Sequence, residues 1–180
     1  METITLPSAA GRGLRLACVA CLVIALGISV FPAASSSSDI SELIEKADKG
    51  DAEAQTALAE RYQKGEGVPK NDAEAAKWYR KAAEQGNPDA QVNLGLMQAN
   101  GQGGPRDYGE AVEWYRKAAE QGNEKAQHGL GVMYHNGFGV ERNDAEAMEW
   151  FRKAAKQGYY GKPPQGYNGE PSQGYYGNPP

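Results

Sequence analysis

The sequence predicts an all-α solenoid of three tandem 36-residue helix-turn-helix repeats behind an N-terminal capping helix. The first observation behind this prediction is internal similarity: residues 51–86, 87–122 and 123–158 align without a gap, and 14 of 36 positions are identical in all three. The second is that each unit holds two helix patterns with suitable end residues. A single helix pair cannot bury its apolar side alone, so such repeats stack to share a continuous core.

The first 34 residues have the order of a secretory signal peptide. Arg12 and Arg15 precede an uncharged stretch over residues 16–31, and small residues follow it. This order is typical of export signals, and we expect cleavage after Ala34 or Ser35. The sequence therefore predicts an exported protein, either periplasmic or secreted. The alternative is an uncleaved N-terminal membrane anchor, although the stretch is shorter than the roughly 20 residues that a membrane-spanning helix needs.

Composition excludes two classes of function. Cys18 and Cys21 are the only cysteines and lie in the segment expected to be removed, so the mature chain offers no disulfide framework and no thiol chemistry. The net charge of −4 gives no support to nucleic-acid binding.

The segment between the signal and the first repeat predicts a Ser-rich linker over residues 35–38 and a capping helix over residues 39–50. Ile40, Leu43 and Ala47 are in register with second-helix positions of a full unit. At the other end the sequence contains no capping helix. We expect the last aromatic face, which includes Trp150 and Phe151, to be covered by the tail, by a second molecule through self-association, or by a partner.

Each repeat is punctuated by residues that begin and end helices. Side chains with a free oxygen open each helix because they can accept N–H groups of the first turn: Asp51, Asn87 and Asn123 for first helices, and Asn71, Asp107 and Asn143 for second helices. Glycines follow every helix. An apolar stripe in the first helices predicts the core; it holds Ala54, Leu58 and Tyr62 in unit one, Ala90 and Leu94 in unit two, and Ala126, Leu130 and Tyr134 in unit three.

A second, shorter repeat runs from Gln157 to Pro180 and makes up the tail over residues 159–180, with the octapeptides QGYYGKPP, QGYNGEPS and QGYYGNPP following one another. The Gly and Pro content predicts a disordered or polyproline-like tail. In the alternative interpretation, its tyrosines are evenly spaced stickers that associate with the cell envelope, a carbohydrate or other copies of the chain.

The 36-residue unit closely resembles the Sel-one-like repeat (SLR), a relative of the tetratricopeptide repeat. The resemblance covers residues 51–158 and is carried by three motifs: Ala-x-x-x-Leu-Gly in the first helix, Gly-x-Gly-Val in the loop, and A-x-x-W-[YF]-x-K-A-A-x-Q-G in the second helix. It implies an α/α right-handed superhelix whose concave side binds a protein or peptide, and bacterial members are commonly exported scaffolds. Unit two departs from the pattern at Gln98, Gly104, Tyr108 and Gly109, where we expect looser packing.

The candidate partner-binding residues are the variable positions of the first helices. Positions six, ten and thirteen of each unit fall on one side of the helix, opposite the Ala/Leu stripe. In units two and three this row carries apolar and histidine side chains on a face that should be solvated: Val92, Leu96, Ala99, His128, Val132 and His135. A binding groove would explain them; burial between neighbouring repeats is the alternative.

The residues suited to catalysis are few. His128 and His135 are the only histidines, and seven residues of helix separate them by about 10 Å, too far to bind one metal ion. No nucleophile elbow or phosphate loop is present. We therefore predict a non-enzymatic adaptor without cofactor or metal. The alternative is an envelope hydrolase or β-lactam-binding repeat protein, an activity linked to family members that carry a disulfide in each repeat, which this mature chain lacks.

Overall fold

The computed structural model describes residues 35–160, which form seven helices and no strand. Six of the helices have 13 residues each, and the bounds are Ser35–Asp48 (α1), Ala52–Lys64 (α2), Asp72–Glu84 (α3), Pro88–Asn100 (α4), Tyr108–Glu120 (α5), Glu124–Asn136 (α6) and Asp144–Lys156 (α7). Each helix packs mainly on the helices next to it in the chain. The all-α solenoid that the sequence predicts is confirmed. The predicted signal segment and residues 161–180 lie outside the described residues.

The start of α1 corrects one boundary. Residues 35–38 belong to the first turn of α1 rather than to a linker. Serine is compatible with a first turn because the backbone N–H groups there have no partner within the helix. Further along α1, Ala47 is 1% exposed and occupies the place that Ala83 takes one repeat later. α1 therefore acts as the second helix of a half repeat, in the register that the sequence predicts.

The helix ends follow the predicted residues. The side-chain oxygen of Asn87 accepts the N–H of Ala90 at 2.9 Å, and Asp51, Asn71, Asp107, Asn123 and Asn143 make the same type of contact. Gly65, Gly101 and Gly137 end the first helices in the left-handed conformation. Capping side chains and glycines within a few residues of each turn therefore determine where the helices begin and end.

The core consists of apolar residues that repeat along the chain. Leu58, Leu94 and Leu130 are completely buried, as are Tyr79 and Phe151. Burial of Phe151 corrects the expectation that an added element must cover it, because α6 already does. A Cβ at Gly131 of α6 would lie only 2.8 Å from the Phe151 ring, so glycine lets the ring pack directly on the helix backbone.

A pair of glutamines, one buried and one exposed, joins the helices at every junction, and we call it the glutamine relay. In unit two, Gln91 Nε2 donates to the Ala83 carbonyl at the end of α3 (3.1 Å), and Gln121 Nε2 after α5 donates to Gln91 Oε1 (2.9 Å). Gln55 with Gln85, and Gln127 with Gln157, repeat this arrangement. Each relay therefore fixes three helices to one another: the second helix of one unit and both helices of the next.

We expect replacement of the central relay residue to destabilise the solenoid. Gln91 is 3% exposed, and Gln91→Ala removes the partner of Gln121 and a donor to Ala83, which should lower the free energy of unfolding by about 1–3 kcal/mol. The matched control is Gln98→Ala, the same exchange in the same helix at a half-buried side chain. Urea unfolding followed by circular dichroism measures both. Equal losses in the two variants would contradict a structural role for the relay.

Candidate functional site

Two grooves border the repeats, and they differ in which helices form them. Groove 1 has a volume of about 610 Å³ and is bounded by α3, α4 and the loop that precedes α5, with Arg80, Gln98 and Gly104 among its lining residues. Groove 2 has a volume of about 470 Å³ and lies between the first helices α4 and α6, from Val92 to Phe138. Both volumes are in the range of ligand sites in proteins.

The charges of the two grooves are different. Groove 1 is lined by three basic residues, Lys77, Arg80 and Lys81, and by three acidic residues, Glu84, Asp107 and Glu110. Two of these are already paired, because Arg80 Nη1 lies 2.6 Å from Glu110 Oε1. Groove 2 is lined by two cations, Arg106 and Lys125, and by no carboxylate. Groove 2 is therefore the one whose charge remains available to a carboxylate ligand.

The row of residues that the sequence singles out lies largely in groove 2. Val92, Leu96 and Ala99 line it from α4, and His128 and Val132 line it from α6. Leu96 is 45% exposed and Phe138 in the same groove is 40% exposed, so two large apolar side chains reach solvent on one surface. The structure thus brings five of the six predicted residues to one concave surface.

The two histidines depart from the predicted row in different ways. His135 is not part of groove 2; its Nδ1 lies 2.9 Å from Asp144 Oδ1 at the start of α7. His128 lines the groove but is only 9% exposed, with its ring edge-on to Phe151 at a centroid distance of 5.2 Å. The expectation of a solvated face is wrong at this position because a first helix in a solenoid also packs on the helices of its neighbouring repeats.

Three neighbouring residues of groove 2, Arg106, Tyr108 and Phe138, form a cluster that was not among the predicted site residues. The rings of Tyr108 and Phe138 are stacked, with centroids 4.7 Å apart and planes at 10°. Arg106 lies beside them, 5.6 Å from the Tyr108 ring and 3.2 Å from its hydroxyl. At the preceding junction the equivalent positions are Asp72 and Gln102. Two aromatic residues at positions that are polar in the preceding junction are the sequence signal from which this site could have been predicted.

The stack depends on how closely one repeat approaches the next. The loop after α6 contacts the backbone of Tyr108 and Gly109 at the start of α5, and a Cβ at Gly139 would overlap those atoms. Gly139 also has a φ of 70°, a backbone angle that residues with a Cβ rarely adopt. Glycine at this position therefore allows Phe138 to lie flat against Tyr108.

Tyr115 forms the floor of groove 2 beneath Gly129. Its side chain is buried, and a Cβ at Gly129 would lie 3.0 Å from its ring. Burial raises the pKa of the Tyr115 phenol well above its usual value, and Tyr159 nearby adds to the shift. The phenol therefore stays neutral while the protein is folded.

The raised pKa predicts how stability changes at alkaline pH. The unfolded chain loses the Tyr115 proton near its ordinary pKa of about 10, whereas the folded chain retains it, so the stabilisation is complete below pH 10 and is lost as the pH rises above it. We expect Tyr115→Phe to reduce the loss of unfolding free energy between pH 9 and about 11. Urea unfolding at both pH values measures this, with Tyr62→Phe as the control at a less buried tyrosine. A loss as large as in the wild type would contradict the prediction.

Within residues 35–160 no cluster of three or more His, Cys, Asp or Glu side chains is arranged to hold a metal ion. None of the helices over the same range has the length and apolar character to cross a membrane.

The chain is similar to known repeat proteins in both sequence and structure. A sequence profile of the Sel1 repeat matches residues 52–87, 88–123 and 124–159. The structure is similar to a Sel1 repeat protein from Oxalobacter formigenes, with 45% identity and a TM-score of 0.61 over 67% of this chain and 90% of that one. Among curated proteins, the search found no match.

Two other solved structures share the fold. A protective antigen of uropathogenic Escherichia coli strains with an SLR fold has 42% identity and a TM-score of 0.68 over 69% of this chain, which spans only 27% of the antigen. Cysteine rich protein B of Helicobacter pylori has 22% identity and a TM-score of 0.56 over 68% of this chain and 90% of that one, which shows the fold alone.

Proposed function

Because the chain belongs to the Sel1 repeat family, whose members are protein-interaction scaffolds, we propose that it is an exported, non-enzymatic adaptor that binds a protein partner through groove 2. One observation carries the proposal. Leu96 and Phe138, which are 45% and 40% exposed, lie in the same groove as two unopposed cations. Exposed apolar side chains rimmed by polar groups are typical of interaction sites.

The chemistry of groove 2 favours one class of ligand. The flat Tyr108–Phe138 pair suits an aromatic ring or a proline, and Arg106 beside it suits a carboxylate. The groove follows α6 from His128 to its end at Asn136, about 12 Å at 1.5 Å per residue, and continues to Phe138 in the loop. An extended peptide segment with an aromatic or proline residue and a nearby acidic residue fits these features.

We expect a charge placed in groove 2 to weaken partner binding. Leu96→Glu puts a carboxylate among apolar side chains at a position exposed enough to leave the fold intact, and it should reduce captured partner by roughly tenfold or more. The control is Lys77→Glu, which adds an acid at an exposed position of groove 1. Stoichiometric capture from envelope extracts, quantified by mass spectrometry, measures both, and circular dichroism checks folding. The proposal fails if the Leu96 variant retains its partner.

Export is tested separately from binding. The expected signal over residues 1–34 predicts that the full-length sequence, expressed in bacterial cells, yields a periplasmic or secreted protein that begins after Ala34 or Ser35. Ile24→Arg interrupts the apolar stretch and should retain the precursor in the cytoplasm, while Ser37→Arg beyond the stretch should not. Cell fractionation and mass measurement of the intact protein give the result. An intact precursor in the soluble cytoplasmic fraction would contradict export.

A further inference from the structure

One tyrosine of the octapeptide tail lines groove 2. Tyr159 is half-buried, and its ring meets the His128 ring edge-on at a centroid distance of 5.5 Å. Its backbone N–H donates to the Ala154 carbonyl at 3.1 Å, so the chain enters the groove directly from the end of α7. The next residue, Tyr160, is 43% exposed. The first tyrosine of an octapeptide that recurs twice further along the chain is therefore part of the groove wall.

The tail is long enough to span groove 2. Twenty residues follow Tyr160, and an extended polyproline-type segment covers about 3.1 Å per residue, so eight residues reach about 25 Å. From His128 to the end of α6 at Asn136 the groove covers about 12 Å, and Phe138 lies two residues further along the chain. Tyr167, which repeats the position of Tyr159 in the next octapeptide, is therefore within reach of the Tyr108–Phe138 pair.

The second octapeptide also matches the charge of the groove. Its sequence, QGYNGEPS, is the only one of the three with an acidic residue; the corresponding positions are Lys162, Glu170 and Asn178. Arg106 lies at the Tyr108–Phe138 pair, and no carboxylate lines the groove. Proline-rich segments commonly bind aromatic-lined grooves because an extended, preformed chain loses little entropy on binding.

We propose that residues 165–172 bind in groove 2 of the same chain, with Tyr167 against the Tyr108–Phe138 pair and Glu170 beside Arg106. The tail then acts as an internal ligand that an outside partner must displace. This regulatory consequence rests on the proposed function, whereas the binding of the tail does not. Tyr159 of the tail lines groove 2, whereas no tail residue within residues 35–160 lines groove 1.

The test is intramolecular photo-crosslinking in the full-length protein without any partner. Tyr167→p-benzoylphenylalanine places the probe in the second octapeptide, and we expect crosslinks within monomers to peptides that contain Tyr108 or Phe138. Leu96→Glu should lower the crosslink yield by roughly tenfold, while Lys77→Glu in groove 1 should leave it unchanged.

A charge exchange tests the register of the segment. Arg106→Glu and Glu170→Arg should each lower the yield by about two- to fivefold, the effect of one exposed ion pair, and the double variant should recover most of it. Crosslinks between two copies, crosslinks outside groove 2, or no recovery in the double variant would overturn the proposal. Because no partner is present, failure here leaves the proposed scaffold function standing, and failure of partner capture leaves the tail proposal standing.

Discussion

The glutamine relay is the constraint on which the stacking of the repeats depends. The amide group of the buried Gln91 must satisfy both its donor and its acceptor, and it does so with Ala83 at the end of α3 and Gln121 after α5. The contacts join the end of one unit to both helices of the next. The same hydrogen bonds recur at all three junctions of residues 35–160, so every unit is joined to the one before through equivalent residues.

The grooves arise where this uniform stacking meets residues that differ among the units. Groove 2 exists because Tyr108 and Phe138 replace the polar residues of the preceding junction, and because Gly139 lets the loop approach the start of α5. Positions that are identical in the three units therefore form the stacked helices, and positions that differ among the units give the groove its aromatic side chains. The binding proposal and the tail proposal both rest on this separation.

The extent to which groove 2 could be predicted differs among its residues. The helical period placed Val92, Leu96, Ala99 and Val132 on one side, and that side lines the groove. The helical period did not predict that the His135 ring contacts Asp144 across the loop and lies outside the groove. Nor did it predict that His128 is buried against Phe151. A periodic pattern describes one helix, whereas these contacts come from other helices.

The sequence by itself determined the number of repeats, the helices and their ends, because glycine turns and capping side chains act within a few residues along the chain. It also held the relay glutamines among its identical positions, although nothing local revealed their partners. Tertiary structure alone decided that Gln121 reaches Gln91, that Tyr108 stacks on Phe138, and that Tyr159 enters groove 2. Each of these contacts joins residues about 30 positions apart, and their geometry is set by the stacking of whole repeats.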